Sequence, residues 1–121
     1  MMTASFPKCE KLCGKHAVEL LYKEGKRFVA WPLRVCYMES ADSVNQVLIW
    51  APKSLFRHAV DRNRLRRQMR EAYRLNKQLL DTNTSGVHYH IAFNYMDKQM
   101  HDYRVINKAM RKALKKIDNR E

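Results

Sequence analysis

The chain is short of acid. Among 121 residues, 12 Asp and Glu stand against 24 Lys and Arg, which leaves a formal charge of +12. That imbalance argues against a cationic partner and predicts a polyanion, met by fast, salt-sensitive association. Long apolar runs are missing too: none approaches the roughly 18–20 residues of a membrane span. The first eight residues lack the apolar stretch of a secretory signal, so the expected setting is the cytoplasm, with no membrane contact. Cysteine is scarce and odd in number, with Cys9, Cys13 and Cys36. A disulfide framework is therefore not expected. Cys9 and Cys13 lie four apart and would face a metal together on a helix. No further Cys/His pair has zinc-finger spacing, so reduced, inert thiols and no metal site are expected. Carboxylates are scattered, and none cluster to hold a pair of hydrolytic metal ions. Repeats and low-complexity tracts are absent.

What is present is enough apolar material for a core. A hydrophobic content of 45% argues against disorder, and the length predicts one domain over 1–121, loose at 1–7 and 118–121. A first helix is expected from about Cys13 to Glu24, with Ala17, Leu20 and Leu21 on one face, Val18 and Tyr22 beside it, and Gly25 ending it. Short β-type runs follow at Phe28–Ala30, Leu33–Met38 and Val44–Trp50, with a turn over Glu39–Ser43 and Pro52 closing the third run. A long helix from about His58 to Leu80 takes its buried stripe from Leu65, Met69, Ala72 and Tyr73. After a breaker cluster at Asp81–Gly86, Val87–Tyr95 alternates as a strand. A last helix, Asp102–Asp118, buries Ile106, Met110, Ala113 or Leu114, and Ile117. The order is α-β-β-β-α-β-α, an α+β fold with a single-layer sheet covered by helices.

Half of the net charge sits in one segment. From Arg57 to Lys77 there are eight Lys/Arg against two acids, and arginine outnumbers lysine seven to one. Arginine's planar fork suits bidentate contact with phosphate. Arg62, Arg66, Arg70 and Arg74 recur at i+4, flanked by Arg64 and Arg67, and that row has no acidic i+4 partners of the kind an ordinary solvated face uses. Asn63 adds a donor and an acceptor among the cations, and Asp61 favours the helix N-terminus. A rigid arginine face of this kind suits the backbone and shape of A-form RNA, whose base edges are hidden in the deep groove.

The ordered set Lys53-Ser-Leu-Phe-Arg57-His-Ala59-Val60-Asp-Arg62-Asn63-Arg64-Leu-Arg66-Arg67-Gln-Met-Arg70-Glu71 resembles the signature of the bacterial ribonuclease P protein subunit. Lys8–Leu12, Lys23–Phe28, Pro32–Val35 and Val47–Lys53 are similar to other segments of that family, so the likeness runs over about residues 6–117. The resemblance implies the same element order, with a left-handed crossover at the arginine-rich helix (ribosomal protein S5 domain 2-like). It implies a ribonucleoprotein endonuclease that removes the 5′ leader of precursor tRNA, with catalysis in the RNA subunit and Mg²⁺ held mainly by RNA. The implied partners are ribonuclease P RNA and the leader, with no obligate protein partner. RNA-subunit contacts would fall on Lys53, Arg57, Arg62, Asn63, Arg64, Arg66, Arg67 and Arg70, and no catalytic residue is expected in the protein. The leader cleft would lie between the first helix and the sheet at Val18, Tyr22 and Cys36, of which only Tyr22 keeps a ring. Tyr37 or Trp31 would supply another if the strand register moved by one.

Two other readings remain open on the residues alone. A stand-alone, ribosome-associated RNA-binding module would need the same arginine face but no processing activity. A protein-only nuclease would need paired histidines flanking a phosphate, with His58, His88 and His90 as its candidates. Trp31 and Trp50 could stack on bases, though for Trp50 a packed indole is the favoured expectation, and Tyr89, Tyr95 and Tyr103 are expected in the core or at a sheet edge. Lys108, Arg111, Lys112, Lys115 and Lys116 read as a solvated helix face with non-specific attraction for RNA.

Overall fold

In a computed structural model, residues 10–12, 14–40, 44–81 and 88–118 are described. Cys9, Cys13, the segment 1–7 and residues 119–121 lie outside them, with the expectations placed there. Among the described residues four helices and four strands follow in order: α1 (Lys15–Glu24), β1 (Lys26–Ala30), β2 (Leu33–Ser40), β3 (Gln46–Trp50), α2 (Ala59–Asn76), α3 (Gln78–Asp81), β4 (His88–Tyr95) and α4 (Tyr103–Asp118). The strands make one sheet in the order β1-β2-β4-β3. β1/β2 and β2/β4 pair antiparallel, whereas β3/β4 pair parallel. Parallel neighbours cannot be joined by a hairpin. The chain therefore crosses over between them, and α2 with α3 forms the crossover.

Alternation along the strands decides which side each helix covers. Leu33, Val35 and Tyr37 of β2, Val47 of β3, and Tyr89, Ile91, Phe93 and Tyr95 of β4 enter one large core. Above them lie Leu65, Met69, Ala72 and Tyr73 of α2, and Ile106, Ala109, Met110, Ala113, Leu114 and Ile117 of α4. Edge-on ring pairs, Phe28–Tyr37 at 5.8 Å and Tyr37–Tyr89 at 6.1 Å, fill this layer. Asn76 is buried among apolar neighbours, and its Nδ2 donates to the Ala72 carbonyl (2.8 Å) and to Asn107 Oδ1 (2.6 Å), tying α2 to α4.

The opposite face carries a smaller cluster of Leu12, Leu21, Cys36 and Ala92, with Ala17, Val18, Tyr22 and Leu48 against it, and α1 covers it. Here the α1 stripe differs from expectation: Leu21 is buried, but Leu20 is exposed. Ten residues of helix on a sheet make one narrow line of contact, and Leu20 falls just outside it. Gly25 does end α1, for a steric reason rather than a left-handed one. Its φ is −71°, but a Cβ there would lie 2.5 Å from the Leu21 carbonyl oxygen and 2.8 Å from Cys36 Sγ. The glycine lets the end of the helix meet β2.

Other boundaries differ as well. β1 begins at Lys26 because exposed Lys26 and Arg27 sit on an edge strand and show no apolar alternation. β2 runs on through Glu39 and Ser40, held by pairing to Tyr89 and His88. The expected helix from His58 to Leu80 is interrupted at Lys77, whose carbonyl accepts from Leu80 N–H (3.0 Å) and whose ammonium pairs with Glu10 at 3.0 Å.

Candidate nucleic-acid interface

Helix α2 presents its cations because its other side is used up. At 3.6 residues per turn, Leu65, Met69, Ala72, Tyr73 and Asn76 face the core, and Asn63, Arg67 and Arg70 face away from it. Arg64, Arg67 and Arg70 are exposed, with no intramolecular partner among the described residues. Lys53 and Arg57, in the loop between β3 and α2, are exposed as well. Two arginines of the motif are engaged internally. Arg62 is partly buried, and its Nη1 donates to the carbonyls of Phe56 (2.8 Å) and Arg57 (3.0 Å), clamping that loop to the first turn of α2. Arg66 donates to Asn63 Oδ1 and so orients the amide. Arg74 pairs with Glu71.

On the other side of the sheet, α1 leaves part of its face uncovered. The result is a cleft of about 850 Å³ lined by Val18, Tyr22, Arg27, Arg34, Cys36, Leu48, Trp50, Pro52, Ser54, Leu55, Asn94, Tyr95 and Met96. All three residues expected of a cleft, Val18, Tyr22 and Cys36, line it. Tyr22 donates its hydroxyl to Asn94 Oδ1 at 3.1 Å. Burial pushes its phenol above the ordinary tyrosine range, against the opposing pull of that hydrogen bond. Cys36 is 2% exposed, and its Sγ donates to the Leu21 carbonyl at 3.3 Å. Burial raises the thiol's pKa despite the nearby Arg27, so it is an inert part of the floor.

The register brings in Arg34 and Asn94, which one-dimensional reading missed, and Trp50, which it favoured as a packed indole. Arg34 stands opposite Asn94 and Trp50 beside it, all on the α1 side of the sheet. Trp50, expected to be packed, is 47% exposed on the cleft wall because edge strand β3 runs past the reach of α1. The proposed substitutes do not serve. Tyr37 points into the large core, and Trp31 stands exposed in the β1–β2 turn outside the cleft lining. Alternating cations and apolar residues at 27, 34, 48 and 50 were legible one strand at a time, but their convergence was not.

His88 and His90 share one face of β4, but His58 is not brought to them. His90 shares a 3.0 Å hydrogen bond with Ser40 Oγ near the start of β4. His58 precedes α2, beyond the other end of the parallel β3/β4 pair, and about 13 Å of strand separates those ends. His58 is thus too remote to join His88 and His90 around one phosphate. No helix among the described residues is long and apolar enough to cross a membrane.

Comparison with known proteins gives a consistent result. The sequence model of the family described as Ribonuclease P matches residues 6–118. A ribonuclease P protein component of Porphyromonas gingivalis is 38% identical over 120 residues, covering 95% of this chain and 88% of that protein. One from Chlorobium phaeobacteroides is 36% identical over 105 residues, covering 76% and 72%. Among solved structures, the RNase P protein from Thermotoga maritima superposes with a TM-score of 0.74 at 21% identity, covering 88% of this chain and 96% of that one. Staphylococcus aureus RNase P protein gives 0.74 at 20% identity, covering 89% and 94%. The structural likeness speaks for the fold. With a family match over nearly its whole length and a relative close to two-fifths identical, the chain belongs to the ribonuclease P protein component family.

Proposed function

We propose that this subunit acts in 5′ leader removal from precursor tRNA by holding two RNAs on two faces of one sheet. The exposed cations of α2 and its preceding loop, Lys53, Arg57, Arg64, Arg67 and Arg70 with Asn63, bind the ribonuclease P RNA through backbone phosphates. Arg62 and Arg66 work mainly by fixing that loop and Asn63. The cleft on the α1 side holds the single-stranded leader, with Tyr22 and Trp50 as rings, and Arg27 and Arg34 as phosphate partners. The observation that carries this reading is the cleft itself, with rings and cations converging in about 850 Å³ beside the loop that leads into α2.

The catalytic centre is assigned to the RNA. Hydrolysis of this kind uses Mg²⁺ to activate water and steady the leaving oxygen. Among the described residues no three His, Cys, Asp or Glu side chains converge to hold an ion. The reading assigns those ions to the RNA and gives the protein the work of affinity and placement. The reading needs no protein partner and places the work in the cytoplasm, with the tRNA precursors.

The test is cleavage of a 5′-extended precursor tRNA in low Mg²⁺, with this protein and the cognate ribonuclease P RNA, together and apart. Cleavage only with both supports the proposal. Cleavage by the protein alone would move the catalyst into the chain. Tight RNA binding without any effect on cleavage would make it a stand-alone binding module.

A further inference from the structure

The cleft is short of rings where the family resemblance would put them. Val18 has none, and Cys36 lies beneath the surface with its thiol turned to the Leu21 carbonyl. A nucleotide entering from the α1 side meets one aromatic, Tyr22, whose hydroxyl is already committed to Asn94. The opposite wall is different. Trp50 exposes 47% of its surface there, on a strand otherwise half-buried or buried. Sheet register sets Trp50 beside Asn94 and Asn94 beside Arg34. Neighbouring strands lie about 4.8 Å apart, so the three side chains span roughly the width of one nucleotide.

Their chemistry is complementary. An indole gives a stacking face, and a guanidinium gives a phosphate clamp. Asn94 gives direction. Its Oδ1 accepts from Tyr22, and its Nδ2 has no protein acceptor among the described residues. The Tyr22 bond takes one lone pair of Oδ1 and holds the amide, which leaves Nδ2 as its unused donor. It can donate to a base acceptor.

We propose that Trp50 is the stacking platform of a one-base recognition site in the cleft. Asn94, held by Tyr22, donates to the acceptor edge of the stacked base, and Arg34 takes its phosphate. The proposal rests on the reading of the cleft as the leader site and goes beyond it in naming which wall reads a base, and how.

The experiment uses holoenzyme reconstituted with ribonuclease P RNA in a Trp31→Phe background, where Trp50 is the remaining indole. Precursor tRNA with a leader should quench the fluorescence, and mature tRNA should not. An abasic scan of the leader should find one position whose loss abolishes the quench. Trp50→Ala should weaken binding of leader-bearing precursor about tenfold or more, with Trp50→Phe retaining most of it and neither altering affinity for the catalytic RNA. Replacing the base at the mapped position should change wild-type affinity, and Asn94→Ala should flatten that preference.

Failure of the proposal and failure of the cleft reading look different. If the leader leaves Trp50 unquenched and Trp50→Ala is silent, while Tyr22→Ala still weakens leader-bearing precursor, then the leader lies in the cleft but not on Trp50, and the proposal is overturned. If the wild type binds leader-bearing and leaderless precursor equally, the cleft reading falls and the proposal falls with it. Equal affinity for all four bases at the mapped position would overturn the role given to Asn94.

Discussion

Arg62 and Arg67 lie five residues apart on one helix and should fail in different ways when cut to alanine. Arg62 holds the loop before α2 through two carbonyls, at 2.8 Å from Phe56 O and 3.0 Å from Arg57 O. Hydrogen bonds from a charged donor contribute about 1.5–3 kcal/mol each when sheltered. Phe56 is buried, but Arg57 is exposed, so one bond counts nearly in full and the other much less. Arg62→Ala is expected to cost about 2 kcal/mol, or roughly 8 °C in Tm for a domain of this size. It should also weaken RNA binding, because Lys53 and Arg57 sit on the released loop. Arg67 touches nothing that holds the fold. Arg67→Ala should melt like the wild type, yet lose about 1–3 kcal/mol of binding to the catalytic RNA and shift the slope of log affinity against log salt by about 0.7–0.9. Thermal melting followed by circular dichroism and filter binding across a salt series would read both. An Arg62→Ala protein as stable as the wild type would refute the clamp. Unchanged affinity and salt slope in Arg67→Ala would remove the outer face of α2 from the interface.

Gly25→Ala should destabilise by about 1–3 kcal/mol, as overpacking does, because its Cβ would meet the Leu21 carbonyl oxygen at 2.5 Å; a urea midpoint equal to the wild type would contradict this. Asn76→Ala should cost about 1–3 kcal/mol by leaving Asn107 Oδ1 without its donor, and a double-mutant cycle with Asn107→Ala should show coupling of at least about 0.5 kcal/mol. The hydrogen bond from His101 holds the Asp97 carboxyl below the ordinary carboxylate range. Its stabilising contribution is therefore present above about pH 4 and lost as pH falls through the lowered value. Asp97→Asn should lose stability near neutrality and show a flatter acid limb, which urea unfolding across pH would check. Neutralising Lys108, Arg111 and Lys115 on the exposed side of α4 should weaken leader-bearing, mature and unrelated RNA alike; loss confined to one of them would mark that face as a specific interface.

The arginine-rich helix is legible in the chain alone, since both of its signals are local. Leu65, Met69, Ala72 and Tyr73 keep helical period, and the arginines recur between them with few acids. The element order and the buried stripes of β2, β4 and α4 are readable for the same reason: a half-buried strand or helix writes its geometry into two or three turns of sequence. Leu20 and the break at Lys77 are not. A helix that packs along one narrow line buries fewer residues than its apolar face suggests, and a break stabilised by Glu10, 67 positions away, leaves no local mark.

By itself, then, the sequence determined the class of partner, the elements and the cationic face of α2. Charge density and short-period patterning act between residues close in the chain. The tertiary structure alone decided that Arg62 acts as a clamp, that Tyr37 belongs to the core and Trp50 to the cleft, and that Arg34, Asn94 and Trp50 share one row. Each depends on strand register and on which face of the sheet a short helix leaves bare. Those are long-range pairings, set by the packing of the whole core rather than by neighbours along the chain.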